Sequence, residues 1–230
     1  MRERNTGKSS RAKRAPLSKE RVVAAALALA DEKGEAGVTM RAIAARLGVE
    51  AMSLYNHVAD REAILDGLVD VVFEEIELPV STGGWKESMR NRAASVRAVL
   101  RRHPWALGLM DSRSQPGPAT LRHHNAVLGV LRAGGFSVVM AAHAFSVIDS
   151  YLYGFVLQEQ SLPFEDSAEL DEVATGILRD NPTDAYPHLT ELMMQHALQP
   201  GYRYADEFEF GLTLILDALR PDEVRGGSPR

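Results

Sequence analysis

The chain has 230 residues, of which 45% are hydrophobic and 25% charged, as is ordinary for a globular protein of one or two domains. It contains no cysteine, which excludes disulfides, thiolate metal sites and a cysteine nucleophile. No apolar run reaches the roughly 18–20 residues of a transmembrane helix and no apolar signal core begins the chain, so we expect a cytoplasmic protein without a membrane partner.

The net charge of −5 is unevenly distributed along the chain. Residues 1–60 carry 11 Lys and Arg against 7 Asp and Glu, a net of +4, whereas residues 61–230 carry 15 against 24, a net of −9. Such a basic front end suggests contact with a polyanion. Residues 1–16 lack apolar periodicity and are predicted to form a disordered basic arm. A solvated tail without a partner is the alternative explanation of these charges.

Helix caps and apolar spacing predict the first helices. Ser18 is a plausible N-cap for a helix whose apolar residues recur every three or four positions and which ends at Gly34. Thr39 is the next N-cap candidate, for a helix that ends at Gly48. A short third helix is predicted at 49–57.

The rest of the sequence also predicts helices. Asp60 is placed to cap a longer helix, 60–77, which connects a first domain at 17–60 to the remainder of the chain. Further helices are predicted near 85–103, 105–112, 119–133, 137–160, 167–180, 186–198 and 204–219. Because no alternating strand pattern appears, we predict an all-α protein with a larger helical domain at 78–222 and a flexible tail at 223–230.

Two of these predicted helices, 137–160 and 204–219, are apolar on more than one side. A helix that is apolar all round must be buried all round. In a chain of this size, the pattern indicates a core contact on one side and a second subunit on the other, with Leu216 taken as an interface residue. A central core helix in a monomer is the alternative.

Residues 39–58 predict a helix, a glycine-containing turn and a second helix, which is the arrangement of a helix-turn-helix. Ala44 and Ala45 are expected to let the two helices approach closely, and Val49 and Leu54 to face inward. The other side chains of the second helix are not expected to pack in the core. That helix is therefore expected to present an outward face that fits the major groove of DNA.

The chain resembles the tetracycline-repressor (TetR) family of transcriptional regulators from residue 18 onward. The N-terminal match runs through 23–34, 38–49 and 53–66, the last of which reads Ser-Leu-Tyr-Asn-His-Val-Ala-Asp-Arg-Glu-Ala-Ile-Leu-Asp. The C-terminal match is looser and runs through 103–105, 128–137 and 153–158. The resemblance implies a three-helix DNA-binding domain, a helical ligand-binding domain and a homodimer.

The resemblance also implies a set of DNA-contacting residues. These are Thr39, Met40, Arg41, Ala51, Met52, Ser53, Tyr55, Asn56, His57 and Arg61. Thr39, at a helix N-terminus, would bind a phosphate, and Arg41 would contact guanine through two hydrogen bonds. Ala51 and Met52 occupy base-facing positions and offer only apolar contact, for example to thymine methyl groups.

The remaining implied contacts go mainly to phosphates. They are Ser53, Tyr55, Asn56, His57 and Arg61, the last of which replaces a phosphate-binding lysine of the family. Asn56 is also placed to reach a base. Packing at the helix junction is the alternative for Tyr55 and His57, and capping of the helix end is the alternative for Asn56.

A small-molecule pocket in the C-terminal domain is a further implication. Its candidate residues mix aromatic area with a few polar groups, as is usual for such sites, and they are Trp105, Met110, Asp111, His123, Val127, Phe145, Asp149 and Tyr153. Ordinary core packing is the alternative for the aromatic residues. Asp149 lies in a largely apolar helix, where a buried charge needs a histidine or arginine, a second subunit or the ligand as its partner.

In the tetracycline repressor itself, a histidine and a glutamate help to hold a magnesium–drug complex. The corresponding positions of this chain are Asp111 and Gln158, and a further histidine of the family has no counterpart near Glu75. These departures argue against a magnesium–tetracycline ligand. We expect neither a metal nor another cofactor, and a cation contact at Asp111 is the alternative.

No catalytic constellation appears in the sequence. His123 and His124 are adjacent, so they point about 100° apart on a helix, and neither His-Glu-x-x-His nor Gly-x-Ser-x-Gly occurs. We therefore expect a repressor rather than an enzyme, one that binds a palindromic operator as a homodimer and is released by a small-molecule inducer. A ligand-dependent activator and a helical ligand-binding module without a DNA role are the alternatives.

Overall fold

The computed structural model describes residues 16–222 except residues 111, 114, 165, 182 and 183. Within this part every regular element is helical and none is a strand, which confirms the all-α prediction. The chain divides into two compact units, Met1–Leu65 and Asp66–Arg230. Residues 1–15 of the expected basic arm and the expected tail at 223–230 lie outside the described residues.

The helices that begin in the first unit are α1 (Lys19–Lys33), α2 (Met40–Leu47), α3 (Ala51–Leu54) and α4 (Arg61–Glu75), and a 3-10 turn at Glu35–Gly37 follows α1. Ser18 caps α1, because its hydroxyl accepts a hydrogen bond from the Arg21 amide at 3.3 Å. Asp60 caps α4 in the same way, accepting from the Ala63 amide at 2.8 Å. Both caps agree with the sequence pattern.

The core of the first unit consists of aliphatic side chains, which apart from Val38 stand at positions that the apolar spacing indicated. The fully buried members are Val22, Ala26, Val38, Ile43, Leu54 and Ile64. Burial of one such side chain of Val, Leu or Ile size is worth about 1.5–3 kcal/mol. This core therefore fixes α1, α2 and α3 against the start of α4 and leaves the polar sides of α2 and α3 to solvent.

The helices of the second unit are α5 (Trp85–Arg102), α6 (Leu107–Met110), α7 (Pro118–Ala133), α8 (Val138–Ser161), α9 (Ser167–Asp180), α10 (Pro187–Leu192) and α11 (Glu207–Ala218). Each lies close to a helix predicted from the sequence. The predicted segment 186–198 is divided, because α10 passes into a π-helical turn at Met193–Ala197. Pro118 and Pro187 stand in the first turns of their helices, where the missing amide costs no hydrogen bond.

Helix α8 lies at the centre of the second unit, in contact with α5, α7 and α11. Its approach to α11 depends on Gly211, because a Cβ atom there would overlap the Tyr151 ring. The Tyr151 hydroxyl donates to the Phe208 carbonyl oxygen at 2.9 Å. The close approach thus combines a small residue on one helix with an anchored aromatic ring on the other.

Helices α8 and α11 also carry large apolar side chains that nothing in the described part of the chain covers. Those most exposed are Val138 at 69%, Val139 at 64%, Val147 at 46%, Leu157 at 58%, Phe210 at 65% and Leu214 at 58%. We call these residues the apolar stripe. Leu216 is fully buried within the chain, so the prediction of an interface role for it is wrong, because it lies on the inner side of α11.

By length and composition, α8 is the one helix in the described part of the chain that is long and apolar enough to cross a membrane. A single helix of this kind is weak support for a membrane protein, because the core helix of a soluble protein passes the same test. Helix α8 contacts three neighbouring helices on one side, and 28% of its most apolar 18-residue window is buried within the described part of the chain.

Candidate DNA-binding surface and ligand-domain core

A side-chain cap and a left-handed glycine shape the helix-turn-helix. The Thr39 hydroxyl accepts a hydrogen bond from the Ala42 amide at 3.2 Å and so caps α2. Gly48 adopts φ 67° and ψ 42°, the left-handed conformation that ends many helices and that glycine adopts without a steric penalty. The Val49 amide donates to the Ala44 carbonyl at 3.0 Å, which fixes the turn between α2 and α3.

Fewer residues of this motif face the core than the sequence predicted. Leu54 is fully buried as expected, but Ala45 is exposed and Val49 is only half-buried. The packing role assigned to Ala45 is wrong, because this residue lies about 100° around α2 from its buried neighbour. Helix α3 ends at Leu54 and residues 55–57 form a turn, so the helix predicted at 49–57 is shorter than expected.

Half of the implied DNA contacts are exposed, namely Thr39, Arg41, Met52, Tyr55 and Asn56. Met52 is 75% exposed and Tyr55 48%, which leaves Met52 mainly and Tyr55 about half in solvent. Arg41 forms no hydrogen bond or ion pair with any residue that the structure describes. The start of α2 therefore presents an exposed cation that no described residue pairs with.

The other implied contacts are half-buried, namely Met40, Ala51, Ser53, His57 and Arg61. Arg61 is held by protein groups: its Nε donates to the Val38 carbonyl at 2.8 Å, and a terminal nitrogen donates to the Glu35 carboxylate at 3.0 Å. These bonds tie the start of α4 to the segment before α2. The sequence did not predict this structural function of the guanidinium.

Arg46 offers an instructive contrast on the same helix as Arg41. Its two terminal nitrogens donate to the Glu32 carboxylate at 2.8 and 2.5 Å. The hydrogen bonds from Arg46 lower the pKa of Glu32 from its ordinary value. The charge of Arg46 is thus paired with a carboxylate of the protein, whereas Arg41 has no such partner among the described residues.

The second unit contains a buried polar cluster, which we call the Arg92 cluster and which consists of Arg92, His123 and Asp149. The Arg92 guanidinium is fully buried and donates to the two carboxylate oxygens of Asp149 at 2.5 and 3.1 Å. Its Nε also donates to His123 Nε2 at 2.9 Å. The partner of the Asp149 charge is therefore an arginine. An arginine was one of the alternatives that the sequence left open.

The protonation state of His123 follows from these contacts. Burial, together with the positive charge of Arg92, lowers the pKa of His123 to about 3, so the imidazole is neutral near pH 7. Arg92 Nε only donates, so His123 Nε2 must be the unprotonated nitrogen and Nδ1 carries the proton. His123 Nδ1 is buried and has no hydrogen-bond partner among the described residues. The cluster therefore holds one buried donor that lacks an acceptor.

Aromatic rings surround the Arg92 cluster. The ring of Phe73 lies 5.3 Å from that of His123, and the Arg92 guanidinium lies 5.6 Å from the Phe145 ring. His124 lies between Phe73 and Phe145, at 5.4 Å from each ring. The structure thus brings together three of the predicted ligand residues, His123, Phe145 and Asp149.

The remaining predicted ligand residues have varied surroundings. Met110 and Val127 are buried, Tyr153 is half-buried, and half-buried Trp105 packs with its ring 5.9 Å from that of His103. Asp111 lies outside the described residues. No group of three or more His, Asp or Glu side chains suited to a metal ion occurs within the described part of the chain.

Arg92, Phe73 and His124 are the members of this region that the predicted set of ligand residues missed. Arg92 falls among the buried α5 residues Met89, Ala93 and Val96, at the spacing of three or four that marks a core side. A basic residue within an apolar stripe was the available signal. Its partner Asp149 stands 57 positions away, which local patterns do not connect.

Two family models match this chain. "Bacterial regulatory proteins, tetR family" matches residues 22–68, and "Tetracyclin repressor-like, C-terminal domain" matches residues 79–221. The chain belongs to the TetR family. The first match covers the helix-turn-helix, and the second covers the Arg92 cluster and the apolar stripe.

Related proteins support the same assignment. The chain is 35% identical over 174 residues to an HTH-type transcriptional regulator of Saccharopolyspora erythraea, covering 75% of this chain and 73% of that protein. It is 32% identical over 226 residues to the HTH-type transcriptional repressor DrrR1 of Streptomyces coeruleorubidus, covering 91% and 80%. The structure of Streptomyces coelicolor ActR in complex with actinorhodin matches with a TM-score of 0.73 and 28% identity, covering 89% of this chain and 97% of that one.

The family and these relatives define the kind of protein. This TetR-family member is a ligand-responsive, DNA-binding transcriptional regulator of the repressor type. Proteins of the family bind DNA operators and small molecules, act as dimers and are regulators rather than enzymes. Soluble bacterial regulators of this type are cytoplasmic.

Proposed function

We propose that this protein is a cytoplasmic repressor that binds a roughly palindromic operator as a homodimer and leaves it when a small-molecule inducer binds. One observation carries the DNA-binding part of this proposal. The helix-turn-helix exposes Arg41, which has no partner among the described residues, at the start of α2, and it also exposes the side chains of Met52 and Tyr55. A short helix with such an outward side fits a major groove.

Within the proposed complex, Arg41 contacts a base, with guanine as the preferred partner of its two parallel donors. Thr39 binds a phosphate at the start of α2, where free amides and the helix dipole favour an anion. Ala51 and Met52 meet bases through apolar contact. Met40 lies beside these contacts, and the phosphate-binding residues are Ser53, Tyr55, Asn56, His57 and Arg61. The basic arm, whose residues 1–15 lie outside the described part, adds salt-sensitive phosphate contacts.

The apolar stripe supports a homodimer. Six large apolar side chains on α8 and α11 are between 46% and 69% exposed in the single chain. Exposed apolar residues grouped in this way mark an interaction surface. A second copy of the chain covers the stripe with the same surface, and the two-fold symmetry of that contact gives the operator its palindrome.

The inducer is proposed to bind in the second unit around the Arg92 cluster and the other predicted ligand residues, Trp105, Met110, Asp111, Val127, Phe145 and Tyr153. The buried His123 Nδ1–H supports this position, because a buried donor without an acceptor is costly. A ligand carbonyl or phenolic oxygen would satisfy it. The complex of ActR with actinorhodin supports a small organic molecule as the ligand.

The inducer acts by favouring a form of the dimer that binds DNA less well. If the ligand weakens DNA binding by some factor, DNA weakens ligand binding by the same factor. No metal or other cofactor is needed for this coupling.

Selection of bound fragments from genomic DNA tests the function directly. We expect the purified protein to enrich duplexes with two inverted half-sites spaced by one helical turn or a multiple of it. A library of small molecules is then screened for compounds that release the labelled duplex. Enrichment of no duplex even in dilute salt contradicts the DNA-binding role, and increased transcription in the presence of the protein contradicts the repressor role.

A further inference from the structure

A cavity of about 710 Å³ lies in the second unit, away from the Arg92 cluster. It opens between the ends of α5 and α8, the start of α9 and the segment 201–205 that precedes α11. We call it the aromatic groove, because Phe164, Tyr202 and Tyr204 line it. Its volume is within the range of about 300–1,000 Å³ that small-molecule sites occupy. None of the predicted ligand residues lines it.

The tyrosine rings of the aromatic groove are held in fixed positions. Tyr204 stacks on Phe155 with ring centroids 5.2 Å apart and planes 19° apart, and its hydroxyl donates to Gln158 Oε1 at 3.0 Å. The ring of Tyr202 lies 4.6 Å from that of His196 in an edge-to-face arrangement. Both tyrosines are half-buried. The groove therefore presents a flat apolar surface. Because the rings are already fixed, they lose little conformational entropy when a ligand binds.

Most charges in the aromatic groove have partners within the protein. Glu159 pairs with Arg97 at 2.5 Å, and Arg203 pairs with Asp206 at 2.6 Å. Asp166 accepts hydrogen bonds at 2.9 Å from two amides at the start of α9, where the helix dipole stabilises its charge.

Arg101 differs from these residues. It forms no hydrogen bond or ion pair with any residue in the described part of the chain. It lines both the aromatic groove and an adjoining cavity of about 380 Å³. A guanidinium in such a position favours an anionic group with two acceptor oxygens, such as a carboxylate or sulfonate, to which it donates two hydrogen bonds.

We propose that the aromatic groove is a second small-molecule site, which binds a planar aromatic anion. The ring system of the ligand lies against Tyr202 and Tyr204, and its carboxylate or sulfonate binds Arg101. This site goes beyond the function proposed above, because it shares no residue with the Arg92 cluster. Its ligand therefore does not compete directly for the inducer position.

Two matched fluorescent probes test this proposal on the full-length protein. 1-Anilinonaphthalene-8-sulfonate combines an aromatic ring system with an anion, and N-phenyl-1-naphthylamine has the same rings without the sulfonate. We expect Arg101→Gln to weaken sulfonate binding about tenfold, as loss of one charge-assisted interaction would, and to leave binding of the neutral probe unchanged. Tyr202→Leu should weaken both probes.

Arg102→Gln is the matched control, because Arg102 neighbours Arg101 on α5 but pairs with Glu75 at 2.6 Å. It should bind both probes as the unmodified protein does. The proposal is overturned if Arg101→Gln binds the sulfonate as tightly as Arg102→Gln, if both probes weaken equally, or if the sulfonate does not bind at all. Operator binding is measured separately, so failure here is distinguishable from failure of the DNA-binding role.

Discussion

The helix-turn-helix and the Arg92 cluster use arginine in opposite ways. On α2, Arg41 is exposed and has no partner among the described residues, so its charge is available to an incoming molecule. In the second unit, Arg92 is fully buried and its donors are taken up by His123 and Asp149. A charge that recognises an external anion has no partner in the protein, whereas a charge in a core must pair with other groups of the protein. The comparison thus separates recognition from stability.

The largest expected effect is on stability, from breaking the buried ion pair. Asp149→Asn leaves the Arg92 guanidinium buried without its counter-ion, and we expect it to lower the free energy of unfolding by about 3–5 kcal/mol. Urea unfolding followed by circular dichroism measures this loss. The double variant Arg92→Met, Asp149→Leu removes both charges and should recover most of the stability. A loss below about 1 kcal/mol for the single variant would show that the pair is not needed.

His123 predicts a dependence of stability on pH. Its pKa of about 3 in the folded protein lies below the ordinary 6.5, so the unfolded chain binds the proton more readily between these values. Stability should therefore fall as the pH drops below 6.5, by roughly 2 kcal/mol from pH 7 to pH 5 on account of this residue.

The glutamine variant isolates that effect. In His123→Gln the amide oxygen accepts from Arg92 but does not titrate, so the additional loss of stability between pH 7 and pH 5 should disappear. Urea unfolding of both proteins at the two pH values gives the difference. An equal loss in both proteins would assign the acid sensitivity to other groups.

The two sides of α11 allow the proposed dimer to be separated from the fold. Leu214→Glu changes an exposed residue of the apolar stripe, so the chain should fold but its dimer should dissociate at least tenfold more readily. Leu216→Glu places a charge in the core and should unfold the chain instead. Sedimentation velocity and circular dichroism distinguish these outcomes. A folded Leu214→Glu protein that remains as dimeric as the unmodified one would place the interface elsewhere.

The smallest expected effect concerns the basic arm. Removal of residues 1–15 eliminates six basic side chains and one acidic one. We expect the slope of log affinity for DNA against log salt concentration to become shallower by about 0.9 for each phosphate contact that is lost. Fluorescence anisotropy titrations at several salt concentrations give the slope. An unchanged slope would mean that the arm does not contact DNA.

Local signals in the sequence were enough to predict much of the first unit. Ser18, Thr39, Asp60 and Gly48 act through side-chain caps or backbone conformation within a few residues of themselves, and all four behave as predicted. The end of α3 was harder, because Leu54 and Val58 keep a helical spacing beyond the last helical residue. An apolar period marks a buried side but does not mark where a helix stops.

The ligand-domain core could be predicted only in part. Asp149 was identifiable as a charge in an apolar helix, but its pairing with Arg92 joins two helices that are distant in sequence. The error at Leu216 has the same origin, since both sides of α11 are apolar and composition does not tell the inner side from the outer. Such assignments depend on tertiary contacts, which short-range patterns do not contain.

The comparison between Arg41 and Arg46 gives the most direct test of the DNA-binding role. The two residues lie on the same helix, but Arg46 is paired with Glu32, whereas Arg41 has no partner among the described residues. In anisotropy titrations against a duplex recovered by selection, Arg41→Ala should weaken binding by about 1–3 kcal/mol, roughly 5- to 150-fold. Arg46→Ala should bind within about twofold of the unmodified protein. Equal affinities for the two variants would contradict the proposed recognition surface.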